Sequence, residues 1–139
     1  MGRAVLPAAV LAAHTYATTA VSRNETTGGA PGVPLAALGA TTALGALTAT
    51  GPRPAAARTA GWAPAVLAGG YVVTAARPLL HAALNPSPPL TQAAVGGQIR
   101  AMIPLQAALA ARCGAAGPAG ALAALMPLAR AWARKVSAT

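Results

Sequence analysis

The chain has 139 residues, enough for one domain, and carries ten Lys/Arg against a single acid, for a net charge of +9. Charged residues make up 8% of it, where a soluble protein has about 25%, so an ordinary water-facing surface is excluded. The basic residues are spread one or two per loop, and Trp62, Trp132, Tyr16 and Tyr71 form no base-stacking platform, so no nucleic-acid partner is expected.

Charge instead punctuates long apolar runs. Residues 4–22 hold one imidazole, His14, and no charge; residues 26–52, 59–76 and 113–129 are uncharged. A soluble helix needs a charged face toward water. These runs lack one and reach the length of about 17–25 residues that a bilayer core requires. They predict an all-α transmembrane bundle of about four to five helices, spanning residues 4–22, 33–50, 59–76, 90–111 and 119–136. Alanine dominates the apolar content and inserts weakly, but it forms helices well and lets backbones approach closely. Such helices are expected to need neighbours, as part of a larger bundle.

The first helix begins after Met1-Gly-Arg, and its start also has the basic-then-apolar pattern of a signal peptide. Thr15-Tyr-Ala17 is a poor cleavage site, which favours a retained helix, with Pro7 in its first turn. The polar, Gly/Pro-containing stretch 22–32 makes a loop. Pro34 opens the second helix, where Gly39 and Ala43 offer a close-packing face and Thr41, Thr42 and Thr48 can bond back to the helix or to a neighbour. Gly51-Pro-Arg-Pro54 ends it. In the third segment, which can extend past Pro78 to Leu84, Trp62 and Tyr71 are either interfacial anchors or bundle filling.

Asn85-Pro-Ser-Pro-Pro89 is a break. Residues 92–100 then predict an amphipathic surface helix with Leu90, Ala94, Val95 and Ile99 on its apolar side, joined near Pro104 to a short membrane helix. Cys113 is alone, which rules out an internal disulfide, and is expected to be a small buried or interfacial residue. The last helix ends in Arg130, Trp132, Arg134 and Lys135, cations suited to a helix C-terminus and to lipid headgroups. Five spans place Arg3, Arg53, Arg58 and Arg112 on one side and Arg23, Arg77, Arg130, Arg134 and Lys135 on the other, a split that leaves orientation undecided.

Candidate chemistry is sparse. The chain has no Asp, no carboxylate pair and no Gly-rich phosphate loop, which removes most soluble enzyme mechanisms. One polar constellation remains: Ser22, Arg23, Asn24 and Glu25, followed by Thr26, Thr27, Gly28 and Gly29. Arg23 can grip a phosphate bidentately and Glu25 can take a magnesium ion bound to that phosphate; the alternative is a solvated turn. His14, inside an apolar helix, is a second candidate, against the alternative of a neutral ring bonded to a Thr or a carbonyl.

Ser22-Arg-Asn-Glu25-x-x-x-Gly29 between two apolar helices resembles the second acidic region of the UbiA superfamily of intramembrane prenyltransferases. Gln98-Ile-Arg-Ala-Met-Ile-Pro-Leu-Gln-Ala107 and Leu128-Ala-Arg-Ala-Trp-Ala-Arg-Lys-Val-Ser137 are similar to the C-terminal end of that superfamily. The resemblance implies Mg²⁺-dependent transfer of a prenyl group from a prenyl diphosphate to an acceptor, with Glu25 as the second acid of its motif. The first acid falls on Val21, and the other acidic motif has no counterpart. The chain therefore resembles the C-terminal half of such an enzyme and is expected to lack a complete metal site and activity without an N-terminal helical half. Two other readings stand beside this one. One is a small non-catalytic membrane protein, associating through Ala/Gly helix faces. The other is a translated frame without selected function, against which stands the placement of charge at helix ends. The expected location is the inner or plasma membrane of a cell.

Overall fold

The computed structural model describes residues 2–136. Five α-helices follow one another: α1 (Gly2–Ser22), α2 (Gly32–Thr50), α3 (Ala63–Leu84), α4 (Pro88–Arg112) and α5 (Ala116–Val136), with a 3₁₀ turn at Ala55–Ala60. No strand occurs among the described residues. Proline opens the helices where its missing N–H is harmless: Pro64 in α3 and Pro88 and Pro89 in α4 lie in the first turn. Pro7 falls deeper than expected, because α1 begins at Gly2 and not at residue 4. The end of α4 closes with Gly114 at φ 83°, the Gly114 N–H donating to the Ala111 carbonyl at 3.0 Å and the Ala115 N–H to the Ala110 carbonyl at 2.9 Å. This paired-bond cap needs the left-handed backbone that glycine tolerates.

Three helices are long and apolar enough to cross a membrane: Ala4–Ser22, Gly32–Thr50 and Ala63–Leu84. α4 is the centre of the bundle and touches every other helix and the 3₁₀ turn. Its buried stripe runs through Thr91, Ala94, Val95, Gln98, Ala101 and Leu105 to Leu109 and Arg112. Tyr71, Ala75, Leu79 and Ala82 of α3 complete the core with Val10, Ala17 and Val21 of α1.

Several expectations change here. Residues 92–100 do not form a surface helix: they belong to one continuous 25-residue helix that passes through Pro104, with Gln98 inside and Ile99 61% exposed. α3 runs through Pro78 to Leu84, the longer of the two extents the sequence allows, and the ring packs against Gly97 of α4, where a Cβ would lie 2.8 Å from Pro78 Cγ. Gly39 and Ala43 face outward. The close approach of α2 to α3 occurs instead at Gly45, where a Cβ would collide with Val72. Cys113 is exposed rather than buried.

Candidate functional site

Four helices each place one polar side chain in the core near mid-length: His14 of α1, Thr41 of α2, Tyr71 of α3 and Gln98 of α4, none more than 1% exposed. His14 Nδ1 lies 3.0 Å from the Tyr71 hydroxyl, and Nε2 lies 3.1 Å from the Gln98 carbonyl. A carbonyl only accepts, so Nε2 carries the proton of the neutral ring and Nδ1 accepts from Tyr71. The two rings meet edge to face at 5.3 Å. Tyr71 is thus bundle filling and a hydrogen-bond donor, whereas Trp62, at the start of α3, is 75% exposed, as an interfacial anchor would be. His14 finds its carbonyl on another helix, 84 residues along the chain.

The other two members of the centre are less well served. Thr41 lies beside the Tyr71 hydroxyl without meeting hydrogen-bond geometry, and neither its Oγ1 nor the Gln98 side-chain Nε2 and Oε1 has a protein partner. Thr42 and Thr48, by contrast, donate back to the Gly39 and Leu44 carbonyls. Polar side chains inside a membrane bundle are costly, so their concentration at one depth on four helices is a constraint on how those helices register. No acid stands in this centre, and the pair His14–Tyr71 has no nucleophile between it and a carbonyl-activating group; its chemistry is that of a shared, enclosed hydrogen bond.

The loop after α1 is built differently. The Ser22 hydroxyl donates to the Thr19 carbonyl at 2.9 Å and the Asn24 amide to the Ala20 carbonyl at 3.4 Å, so both side chains satisfy the end of α1. Gly28 and Gly29 turn the chain at φ 79° and 62°. Gly28 packs on the backbone of Ser87, and its carbonyl accepts from the Thr91 hydroxyl at 3.3 Å, which pins this loop to the α3–α4 turn. Arg23 is exposed and continues the open face of α1 formed by Ala12, Thr15, Tyr16 and Thr19. Glu25 is half-buried.

A magnesium ion is held through one or two carboxylates with substrate phosphates and water. The described residues offer one carboxylate, and no group of three or more His, Cys, Asp or Glu occurs among them. These residues alone do not build the two-motif metal site that the UbiA resemblance implies; Val21, at the position of the missing acid, is fully buried.

At the opposite end, Arg112 was legible only as a loop-end cation. Its guanidinium is 3% exposed and donates to the carbonyls of Leu47 and Thr48 at 2.9 Å each and of Pro52 at 2.6 Å. Arg53 donates to Ala49 and Gly61 carbonyls at 2.9 and 2.8 Å. Two arginines therefore cap the C-terminus of α2, where orphan carbonyls and the negative end of the helix dipole meet.

The fold and its centre define an all-helical bundle with three helices suited to a membrane and a polar layer enclosed at mid-depth. No family model, curated protein or solved structure matches the chain.

Proposed function

We propose that the chain is an integral protein of the inner or plasma membrane whose α1–α2 face takes up further apolar helices. The observation that carries this reading is the cleft of about 770 Å³ between the two helices, lined by Ala12, Ala13, Ala17, Gly32, Ala36 and Ala40 among others. Only 22% of the α1 span is buried inside the bundle. Lipid tails are as apolar as leucine, so a face of alanine and glycine gains little from lipid but permits close backbone packing with another helix. Co-expression with the polypeptide encoded immediately upstream tests it. Ala13→Leu with Ala36→Leu is expected to abolish co-purification; unaltered co-purification would discard this face as the contact.

From the resemblance of Ser22–Gly29 we further propose that the completed bundle transfers a prenyl group from a prenyl diphosphate to an acceptor. Arg23 at the end of the α1 face that carries Ala12, Tyr16 and Ala20 supports this, since a guanidinium suits the diphosphate. Glu25 would contribute one carboxylate to the Mg²⁺, with the remaining acids supplied by the partner helices. A radiolabelled prenyl-diphosphate assay on the co-expressed complex, with Glu25→Gln, tests the assignment: turnover is expected to fall on substitution. A complex that forms but never turns over favours the non-catalytic reading, in which the same helix face serves association alone.

A further inference from the structure

We propose that the pocket between the first turns of α3 and α5 binds a fatty acid, with its chain inside and its carboxylate at the mouth. The pocket holds about 360 Å³ and is lined by Ala63 and Leu67 of α3, Ala111 of α4, and Ala119, Gly120 and Ala123 of α5, among others. α3 and α5 both pack on α4, and the small side chains at this end leave a space between them. Its lining side chains are all apolar. Apolar pockets of roughly 300–1,000 Å³ are the size that takes a small amphiphile. The shape excludes another helix. Spread over the roughly 10 Å that α5 rises from Ala116 to Ala123, the volume leaves a cross-section of about 35 Å², less than half the ~80 Å² of a helix about 10 Å across. A single acyl chain is the occupant that such a channel admits.

Charge at the mouth selects the head of that chain. The mouth lies at the end of the bundle that holds Ala60 of the 3₁₀ turn and Ala116 at the start of α5. This end carries Arg53, Arg58 and Arg112, whereas the chain's one acidic side chain, Glu25, lies in the α1–α2 loop at the other end. Arg53 and Arg112 are engaged with α2, but Arg58 is exposed, two residues before Ala60. The positive ends of α3 and α5 meet here as well, and neither has an acid in its first turn. Trp62, before α3, makes no side-chain capping bond, and Ala115, before α5, has no polar side chain with which to make one. An anion at this level is attracted by the fixed charges around it, and a cation is repelled. A carboxylate joined directly to its chain sits at that level, whereas the phosphate of a phospholipid is set back from its chains by the glycerol.

The pocket shares no lining residue with the α1–α2 cleft, so the proposal stands apart from the association argued above. The test uses the full chain in an uncharged steroid detergent, which has no acyl chain of its own. It follows the thermal midpoint on adding laurate, dodecanol or short-chain phosphatidylglycerol. Laurate is expected to raise the midpoint saturably, and more than either of the others. Gly120→Leu fills the pocket from α5 at a position where a Cβ would meet nothing within 4 Å, so the variant is expected to fold. Its apparent affinity for laurate is expected to fall by about tenfold or more, because a side chain then occupies the ligand's space. Gly39→Leu makes the same exchange on the outward face of α2, where a Cβ also meets nothing within 4 Å, and is expected to leave laurate binding unchanged. No effect of laurate, or an equal effect of dodecanol or phosphatidylglycerol, would overturn the fatty-acid assignment, and equal affinities in the two variants would overturn its location. If Gly120→Leu does not fold, native mass spectrometry of the unaltered chain decides: one laurate retained per chain in preference to dodecanol is expected, and no preference overturns it.

Discussion

The His14 ring and the Tyr71 hydroxyl meet 3.0 Å apart in the closed interior, and the Gln98 carbonyl on the ring's far side settles that Tyr71 is the donor. Three helices are tied by one imidazole. Tyr71→Phe keeps the shape of the ring and removes the proton, so Nδ1 is left buried without a donor. The expected loss of stability is about 1–3 kcal/mol, read from denaturant-induced unfolding in micelles. With His14→Leu, a double-mutant cycle is expected to give a coupling of about 0.6 kcal/mol, the mean for hydrogen bonds between membrane helices, and at most about 1.7 kcal/mol. Strict additivity would mean that the two side chains do not interact.

Gln98 behaves in the opposite sense. Its side-chain amide is buried with neither end paired. Gln98→Met keeps the length and removes the desolvation penalty, and the backbone carbonyl that serves His14 stays in place. The variant is expected to be more stable by about 1–3 kcal/mol in the same unfolding measurement. Destabilisation would show that the amide is held by a group that Met cannot replace.

Arg112→Gln removes a guanidinium that three α2 and loop carbonyls share. The expected cost is about 1.5–3 kcal/mol, the worth of a hydrogen bond to a charged group. Lysine at the same site keeps the charge but not the fork, and Arg112→Lys is expected to recover only part of the loss. Full recovery by Lys would assign the effect to charge alone.

Gly45→Ala drives a methyl into Val72 across the α2–α3 contact. Overpacking of this kind costs about 1–3 kcal/mol. Val72→Ala opens the space, so the double variant is expected to be more stable than Gly45→Ala alone. A double variant weaker than both singles would place the α2–α3 contact elsewhere.

Helix positions are legible in the sequence because uncharged runs must satisfy their own backbone in lipid, and the prolines that open α3 and α4 stand where local geometry wants them. The fate of α4 is not legible by the same logic. The amphipathic reading puts Ala94 and Val95 inside, where they lie, but it also puts Ile99 inside and Gln98 outside, and these two trade places because Gln98 joins the enclosed polar layer. The extension of α3 past Pro78 is readable as an option, but the seat of its ring against Gly97 of another helix is a contact no local pattern reveals. His14 stands out by type alone, as an imidazole in an apolar run. Its partners do not, since Tyr71 and Gln98 come into register only once α3 and α4 have packed. Arg23 and Glu25, singled out by their spacing, lie on one pinned loop, the first exposed and the second half-buried, and the sequence supplies no second acid to set beside Glu25.

The 84 residues between His14 and Gln98 set an order of events during synthesis. When α1 leaves the ribosome, its imidazole enters the insertion machinery with neither of the groups that will satisfy it yet made. Until α3 and α4 emerge, that imidazole has no protein partner in the bundle. Of the five helices, α1 is made before the two that satisfy its imidazole and reaches its packed position only once they have followed.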